Sequence, residues 1–548
     1  MEIILPASRV DSCRSTGDWS DRLLTDYLDD NRNRDADAVA IVDNNSGRGT
    51  RLSMTHGELS EQVDRIALGL ARLGVEVGDV VAFQLPNWWQ FVAIHLACVR
   101  IGAVSNPLMP IFRQRELGFM LKFADAKVVI VAEHFRDFDY PAMIDSISAD
   151  LPAMQHLLVI GDDGDGSFER ELLQPIADRK AVEALYAERG HDANRVMQLL
   201  YTSGTTGQPK GVMQPSNTLI FGTREYIQAL KLDSDLVCLM ASPLAHQTGF
   251  MYGLMLSVML GVPLVLQDVW DANRAWEIIA EEGVTFTMGA TPFLSDLASA
   301  SAREKLHDGT FKTFVCGGAP IPEVLLEQVT ELGINAYAGW GMTECGVVTL
   351  SKPGDTLAQI LGSDGSALPG TAVKVVDEQG QAQPAGTEGD LLVGGGTNFV
   401  GYLKRPEAYD HDDDGWFKTG DRAVMDANGY IRIAGRTKDI IIRGGENVPV
   451  AEVEGLLYRH PAIADAAVVA MPDQRLGERG CAFVTLKPGE SLSFKAMQGY
   501  FEEQQMARHY TPERLEILAI MPRTATGKIQ KFQLREQASQ MLPDDSLR

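Results

Sequence analysis

The chain has 548 residues, 45% of them apolar, and 49 Lys plus Arg face 74 Asp plus Glu for a formal charge of −25. That length buries more than one core and calls for at least two domains. The acidity excludes a general nucleic-acid or anionic-membrane binder, whose attraction rests on a basic surface, and it requires any phosphate-handling site to gather Lys and Arg locally.

Residues 1 to about 35 read as polar and peripheral. Thr55 with Glu58 forms a capping-box pattern ahead of Leu59, Val63, Ile66, Leu70 and Leu73, which are spaced for one helical face. Gly74 ends that helix. Residues 80–85 read as a strand, 88–100 as a helix, and 101–104 as extended chain again. Buried strands are predicted at 128–131, 157–160 and 196–200, and then at 236–240, 263–266, 286–288 and 314–316. Strands alternating with helices predict an α/β architecture of layered, largely parallel sheets. After about residue 360 the texture changes. Turn signals at 377–380, 384–386 and 426–429 separate short apolar runs, which predicts a small β-rich subdomain of hairpins over about 360–435. Residues 435–439 read as a linker. Roughly 110 residues follow with their own strand and helix pattern, enough for a small α+β domain.

Six cysteines (Cys13, Cys98, Cys238, Cys316, Cys345, Cys481) are scattered, with no C-x-x-C pair and no His clustering. Disulfide framework and structural zinc are both disfavoured, and a reducing, cytoplasmic setting fits. The opening residues lack a basic region followed by a long apolar run, so no secretory leader is predicted. The most apolar run, 251–266, is too short to span a bilayer and is broken by Gly261 and Pro263.

From Tyr201 to Gly211 the chain reads Tyr-Thr-Ser-Gly-Thr-Thr-Gly-Gln-Pro-Lys-Gly. Glycines free the backbone to turn N–H groups inward, and Thr202, Ser203, Thr205, Thr206 and Lys210 add donors, an inventory suited to a phosphate chain. The spacing differs from that of the nucleoside-triphosphatase loop. A plain polar turn after a strand is the bland alternative. The whole string, however, resembles the signature of the adenylate-forming superfamily of acyl-CoA synthetases, luciferases and peptide-synthetase adenylation domains. Six further stretches resemble that family's motifs in their usual order.

The resemblance implies a role for each stretch. In Pro-Leu-Ala-His-Gln-Thr-Gly (243–249), His246 would orient or gate the substrate beside the carboxylate pocket. The same segment has no Asp to hold an α-ammonium, which points to a plain carboxylic acid. Gly318, Ala319 and Pro320 would wall the adenine site, with Gly318 also touching the acyl pocket. Gly339, Trp340, Gly341, Met342 and Thr343 would hold the nucleotide, Thr343 through the α-phosphate, and Glu344 would hold Mg²⁺. Trp340 stands where the family usually has Tyr, and either ring can stack on adenine. Asp421, in Trp-Phe-Lys-Thr-Gly-Asp, would clamp the ribose hydroxyls, with Arg436 reaching ribose or phosphate. Gly204 and Gly207 complete the phosphate loop, and Thr206 is its catalytic hydroxyl.

Lys438 falls at the family's hinge, about which a C-terminal domain (436–548) would swing against residues 1–435. Arg443, Gly444, Gly445 and Glu446 match the loop along the coenzyme A tunnel. The family's usual Pro is displaced here, with Val450 following Pro449. Lys528, in Thr-Gly-Lys near the C-terminus, would bridge the substrate carboxylate and the nucleotide. Phe250, Gly289 and Ala290 would line an apolar acyl pocket of moderate size.

The implied enzyme activates a carboxylic acid with ATP and Mg²⁺ and passes the acyl group to coenzyme A as a monomer or homodimer. The chain most resembles bacterial short- and medium-chain or alicyclic carboxylate–CoA ligases, which implies a medium-chain or alicyclic acid as substrate. Alternatives are an aryl or polycyclic acid, loading of a carrier protein, a luciferase-like oxygenase, and a non-catalytic nucleotide or acid sensor built on the same scaffold.

Overall fold

Thr55 Oγ1 accepts from the Glu58 N–H at 3.2 Å, and the Glu58 carboxylate accepts from the Thr55 N–H at 2.8 Å. The predicted capping box thus starts the helix His56–Arg72, with Leu59, Val63, Ile66 and Leu70 in the core. The computed structural model describes residues 1–548 except 162–163, 165, 203–208, 318–320, 413, 437–440, 444–445, 449, 474–476, 505, 507, 525–526 and 542–548. The chain divides into two compact units.

The first unit spans 1–361, 365–372 and 394–417. It holds a six-stranded sheet in the order Lys210–Pro215, Val196–Thr202, Val104–Leu108, Val80–Gln84, Val128–Ala132, His156–Ile160. All its pairings are parallel except the one between Lys210–Pro215 and Val196–Thr202. A nine-stranded sheet runs Ser366–Ala367, Gly346–Leu350, Asn335–Met342, Thr313–Gly317, Phe286–Gly289, Cys238–Met240, Leu264–Gln267, Val39–Asn45, Thr50–Thr55. Its middle is parallel and its two ends antiparallel. The predicted strands are therefore present, each within a few residues of its expected bounds. The helix Trp89–Ile101 is buried almost all round, as a helix apolar on every side must be, and it continues through Ile101, where extended chain was expected.

Residues 1–35 carry more structure than their polar composition announces. They form the helices Ala7–Ser15 and Leu24–Arg34, and Trp19, Leu24 and Leu28 are buried. The stretch is polar by count and exposed over much of its length, but Trp19, Leu24 and Leu28 pack inward, which composition averages hide.

The second unit comprises 362–364, 373–393 and 418–548. It holds most of a four-stranded sheet ordered Thr371–Val376, Glu388–Gly395, Phe417–Met425, Ile431–Arg436. A second sheet runs Glu446–Val448, Ile441–Arg443, Gly477–Leu486, Ile463–Asp473, with Arg514–Ile517 also paired to Gly477–Leu486. The helices Val450–Arg459, Phe494–Glu503 and Lys531–Gln540 bury Val453, Leu457, Met497, Phe501 and Leu534 in its cores. The fold class is thus α/β with a smaller α+β part at the C-terminal end, as predicted.

Candidate functional site

In open parallel sheets the strand C-termini end together at one edge, where loops can converge on a ligand. Four strand ends of the nine-stranded sheet carry predicted residues. Cys238–Met240 leads to His246, and Phe286–Gly289 ends at Gly289 with Ala290 next. Gly289 lies opposite Cys316, and Gly317 opposite Gly339, so the ends of Thr313–Gly317 and Asn335–Met342 lie alongside.

Asn335–Met342 turns back into Gly346–Leu350 through a bulge between Trp340 and Gly341. A β-carbon on Gly341 would meet the Gly346 carbonyl oxygen at 2.1 Å, so only glycine lets the two backbones approach this closely. The Cys345 N–H donates to the Met342 carbonyl at 3.1 Å, and Gln214 Nε2 donates to the carbonyls of Thr343 (3.0 Å) and Glu344 (3.2 Å). Those bonds fix Thr343, half-buried, and Glu344, which is buried.

Glu344 Oε1 accepts from the Tyr402 hydroxyl at 2.8 Å, and the Lys210 ammonium sits 4.6 Å from the centre of the Tyr402 ring. The structure thereby brings together two predicted residues, Lys210 and Glu344, through one that was not predicted. Burial, and then the neighbouring Glu344 charge, push the Tyr402 phenol up, so it stays a donor. Tyr402 reaches this place because residues 400–403 pair with the strand Lys210–Pro215, the Leu403 N–H donating to the Gly211 carbonyl at 2.8 Å. Nothing local in the sequence marks it. Lys210 itself lies opposite Thr202 in register, so the two ends of the phosphate-loop candidate adjoin.

His246 caps a one-turn helix, its Nδ1 accepting from the Thr248 N–H at 3.3 Å. A π-helical turn, Phe250–Met255, follows, a rare element that recurs at functional positions. Phe250 is fully buried, with its ring edge-on to His95 at 4.6 Å between centroids.

In the second unit Asp421 is buried and lies opposite Arg436 in register, with its N–H donating to Thr419 Oγ1 at 3.0 Å. Arg443 is the register partner of Glu446 and donates twice to Glu513 Oε1, at 2.7 and 3.0 Å. Lys528 is exposed on a turn closed by the Thr524 N–H donating to its carbonyl at 2.7 Å and by its own N–H donating to Thr524 Oγ1 at 3.1 Å. Arg523 braces that turn through the Gly527 carbonyl and Asp465. Ser203, Gly204, Thr205, Thr206, Gly207, Gly318, Ala319, Pro320, Lys438, Gly444 and Gly445 lie outside the described residues.

Among the described residues no three His, Cys, Asp or Glu side chains gather as a metal cluster. A single buried carboxylate at Glu344 fits a hard cation that keeps phosphate and water oxygens as its other ligands. Among the described residues no helix is long and apolar enough to cross a membrane.

Residues 28–403 match the family described as AMP-binding enzyme, and 452–528 match the AMP-binding enzyme C-terminal domain. The chain is 36% identical over 535 residues to a medium-chain fatty-acid–CoA ligase of Escherichia coli (strain K12), covering 97% of this chain and 93% of that one. It is 32% identical over 539 residues to a salicylyl-CoA synthase / salicylate adenylyltransferase of Streptomyces sp, covering 97% and 96%. Among solved structures, an anthranilate CoA ligase in complex with anthranoyl-AMP is similar at a TM-score of 0.84 and 26% identity, over 94% of this chain and 97% of that one.

Proposed function

The chain belongs to the AMP-binding enzyme family, and from that premise we propose how its residues divide the work of an AMP-forming acid–CoA ligase. Such a ligase joins a carboxylate to ATP, giving acyl-AMP and pyrophosphate, and then transfers the acyl group to the coenzyme A thiol, releasing AMP.

A carboxylate resists nucleophilic attack because attack adds charge to an anion, and the mixed anhydride with AMP removes that obstacle. The first step brings two anions together, so cationic and hydrogen-bonding groups must be held in place beforehand. In this reading Lys210 and Thr202 flank the phosphates, Thr343 bonds the α-phosphate, Trp340 stacks on adenine, and Asp421 with Arg436 holds the ribose. Lys528 bridges carboxylate and nucleotide in the first step. Arg443 and Glu446 serve the coenzyme A channel in the second, after rotation about Lys438. Mg²⁺ arriving with ATP would be held by Glu344 and would offset phosphate charge.

The observation that carries this reading is the Glu344–Tyr402–Lys210 arrangement beside the parallel strand ends. His246, Phe250, Gly289 and Ala290 are read as facing the acyl group, and a medium-chain or alicyclic acid is the substrate class we favour. Its support is the similarity to the medium-chain ligase and the absence of a charged side chain among these four, apart from the titratable His246. An aryl acid is the second reading, favoured by the salicylate-activating relative. All six cysteines are buried and lie outside any disulfide, which supports a cytoplasmic setting. The test is AMP release with ATP, magnesium and coenzyme A across a panel of medium-chain, alicyclic and aryl acids. Turnover confined to aryl acids removes the favoured class, and no turnover with any acid removes the reaction.

A further inference from the structure

Residues 4–19 are bonded to one strip of chain nearly four hundred positions downstream. The Ile4 N–H donates to the Val400 carbonyl at 2.7 Å. The Arg9 guanidinium donates to the Phe399 carbonyl at 3.2 Å and also to the Asn398 carbonyl. The Trp19 indole N–H donates to the Gly396 carbonyl at 3.1 Å, and the Arg9 guanidinium stands 5.3 Å from the centre of the Trp19 ring. Four carbonyls within five residues thus receive donors from this one stretch.

The other side of the strip faces the candidate site. The Phe399 N–H donates to the Glu344 carbonyl at 2.8 Å, and the Val400 N–H donates to the Met213 carbonyl at 3.1 Å. Two residues on, the Tyr402 hydroxyl holds Glu344 Oε1. Phe399 and Tyr402 pack edge to face at 4.7 Å between ring centroids, so the rings cannot shift independently. The strip is a strut, with Arg9 and Trp19 on one side and the Glu344 carboxylate on the other.

We propose that Tyr402 and Arg9 are positioning residues for adenylate formation. Tyr402 fixes the orientation of the Glu344 carboxylate, and Arg9 fixes the strip that carries Tyr402. Residues 4–19 therefore belong to the working parts of the nucleotide site. The proposal rests on Glu344 being the carboxylate that meets the nucleotide's cation.

The test is Mn²⁺ binding to the full chain with ATP present, followed by water-proton relaxation, alongside melting temperature and the magnesium dependence of AMP release. Tyr402→Phe keeps the ring and removes one hydrogen bond to a charged group, so Mn²⁺ half-saturation rises roughly tenfold. Arg9→Met moves it the same way, and Arg9→Lys, which restores charge but not the two-pronged fork, recovers part of the shift. A staple that only stabilised the fold would lower the melting temperature and the active fraction while leaving half-saturation of the folded molecules unchanged. Normal half-saturation in Tyr402→Phe or in Arg9→Met, with Glu344→Gln shifted, overturns the proposal. If Glu344→Gln is normal as well, the assignment of Glu344 falls and takes the proposal with it.

Discussion

The imidazole of His95 stands edge-on to the Phe250 ring, 4.6 Å between centroids, and among the described residues neither of its nitrogens meets a hydrogen-bond partner. Burial pulls its pKa down from 6.5 to about 3. Below pH 6.5 the unfolded chain takes up a proton that the folded protein refuses, so stability is lost as pH falls from 6.5 toward 3. One proton sets a slope of about 1.4 kcal/mol per pH unit. His95→Leu removes both the partnerless imidazole and this linkage. Its denaturation midpoint should gain more over the unsubstituted protein at pH 5 than at pH 8, and an equal gain at both contradicts a neutral buried imidazole.

A methyl group at Gly341 would lie 2.1 Å from the Gly346 carbonyl oxygen and 2.7 Å from Val347 Cα. The backbone must part there, which moves the bulge that sets Thr343 and Glu344. Gly341→Ala should cost about 1–3 kcal/mol in stability. AMP release should fall roughly hundredfold through misplacement of groups one or two residues on. Calorimetry and steady-state kinetics on the same preparation check both, and unchanged kinetics would free the bulge of any role in the site.

Lys528 sits exposed on a braced turn, and the proposed division of work assigns it to the first of the two steps. Lys528→Ala should abolish acyl-AMP formation and spare thioester formation from supplied acyl-AMP. Equal loss of both half-reactions would contradict the assignment of this lysine to the first step alone.

The capping box at Thr55 is a local device far from these residues in sequence. Thr55→Ala removes the acceptor for the Glu58 N–H and should cost about 1 kcal/mol, read from urea midpoints, with AMP release per folded molecule unchanged.

Local patterns carried much of the fold in the sequence. The capping box and the apolar face of His56–Arg72 follow from spacing, and the buried strands follow from short apolar runs between turn residues. Strand bounds slipped where pairing continues past the buried apolar run, as at Leu200, beyond which half-buried Tyr201 and Thr202 pair with Gly211 and Lys210. The site was legible only as separate motifs. That Lys210 and Glu344 share Tyr402 could not be read, because residues 210, 344 and 402 meet through strand pairing that no local window contains. What ties residues 1–35 to the fold was hidden for the same reason, since the partners of Arg9 and Trp19 lie beyond residue 395.

That separation has a consequence for biosynthesis. The carbonyls that accept from Ile4, Arg9 and Trp19 across the fold leave the ribosome only with residues 396–400, whereas the strands from Val80 to Pro215 can pair well before then. A nascent chain stalled short of residue 396 would lack the carbonyl that accepts from the Trp19 indole N–H, and its first helix would stay untied from the strip beside Glu344 until the later segment emerged.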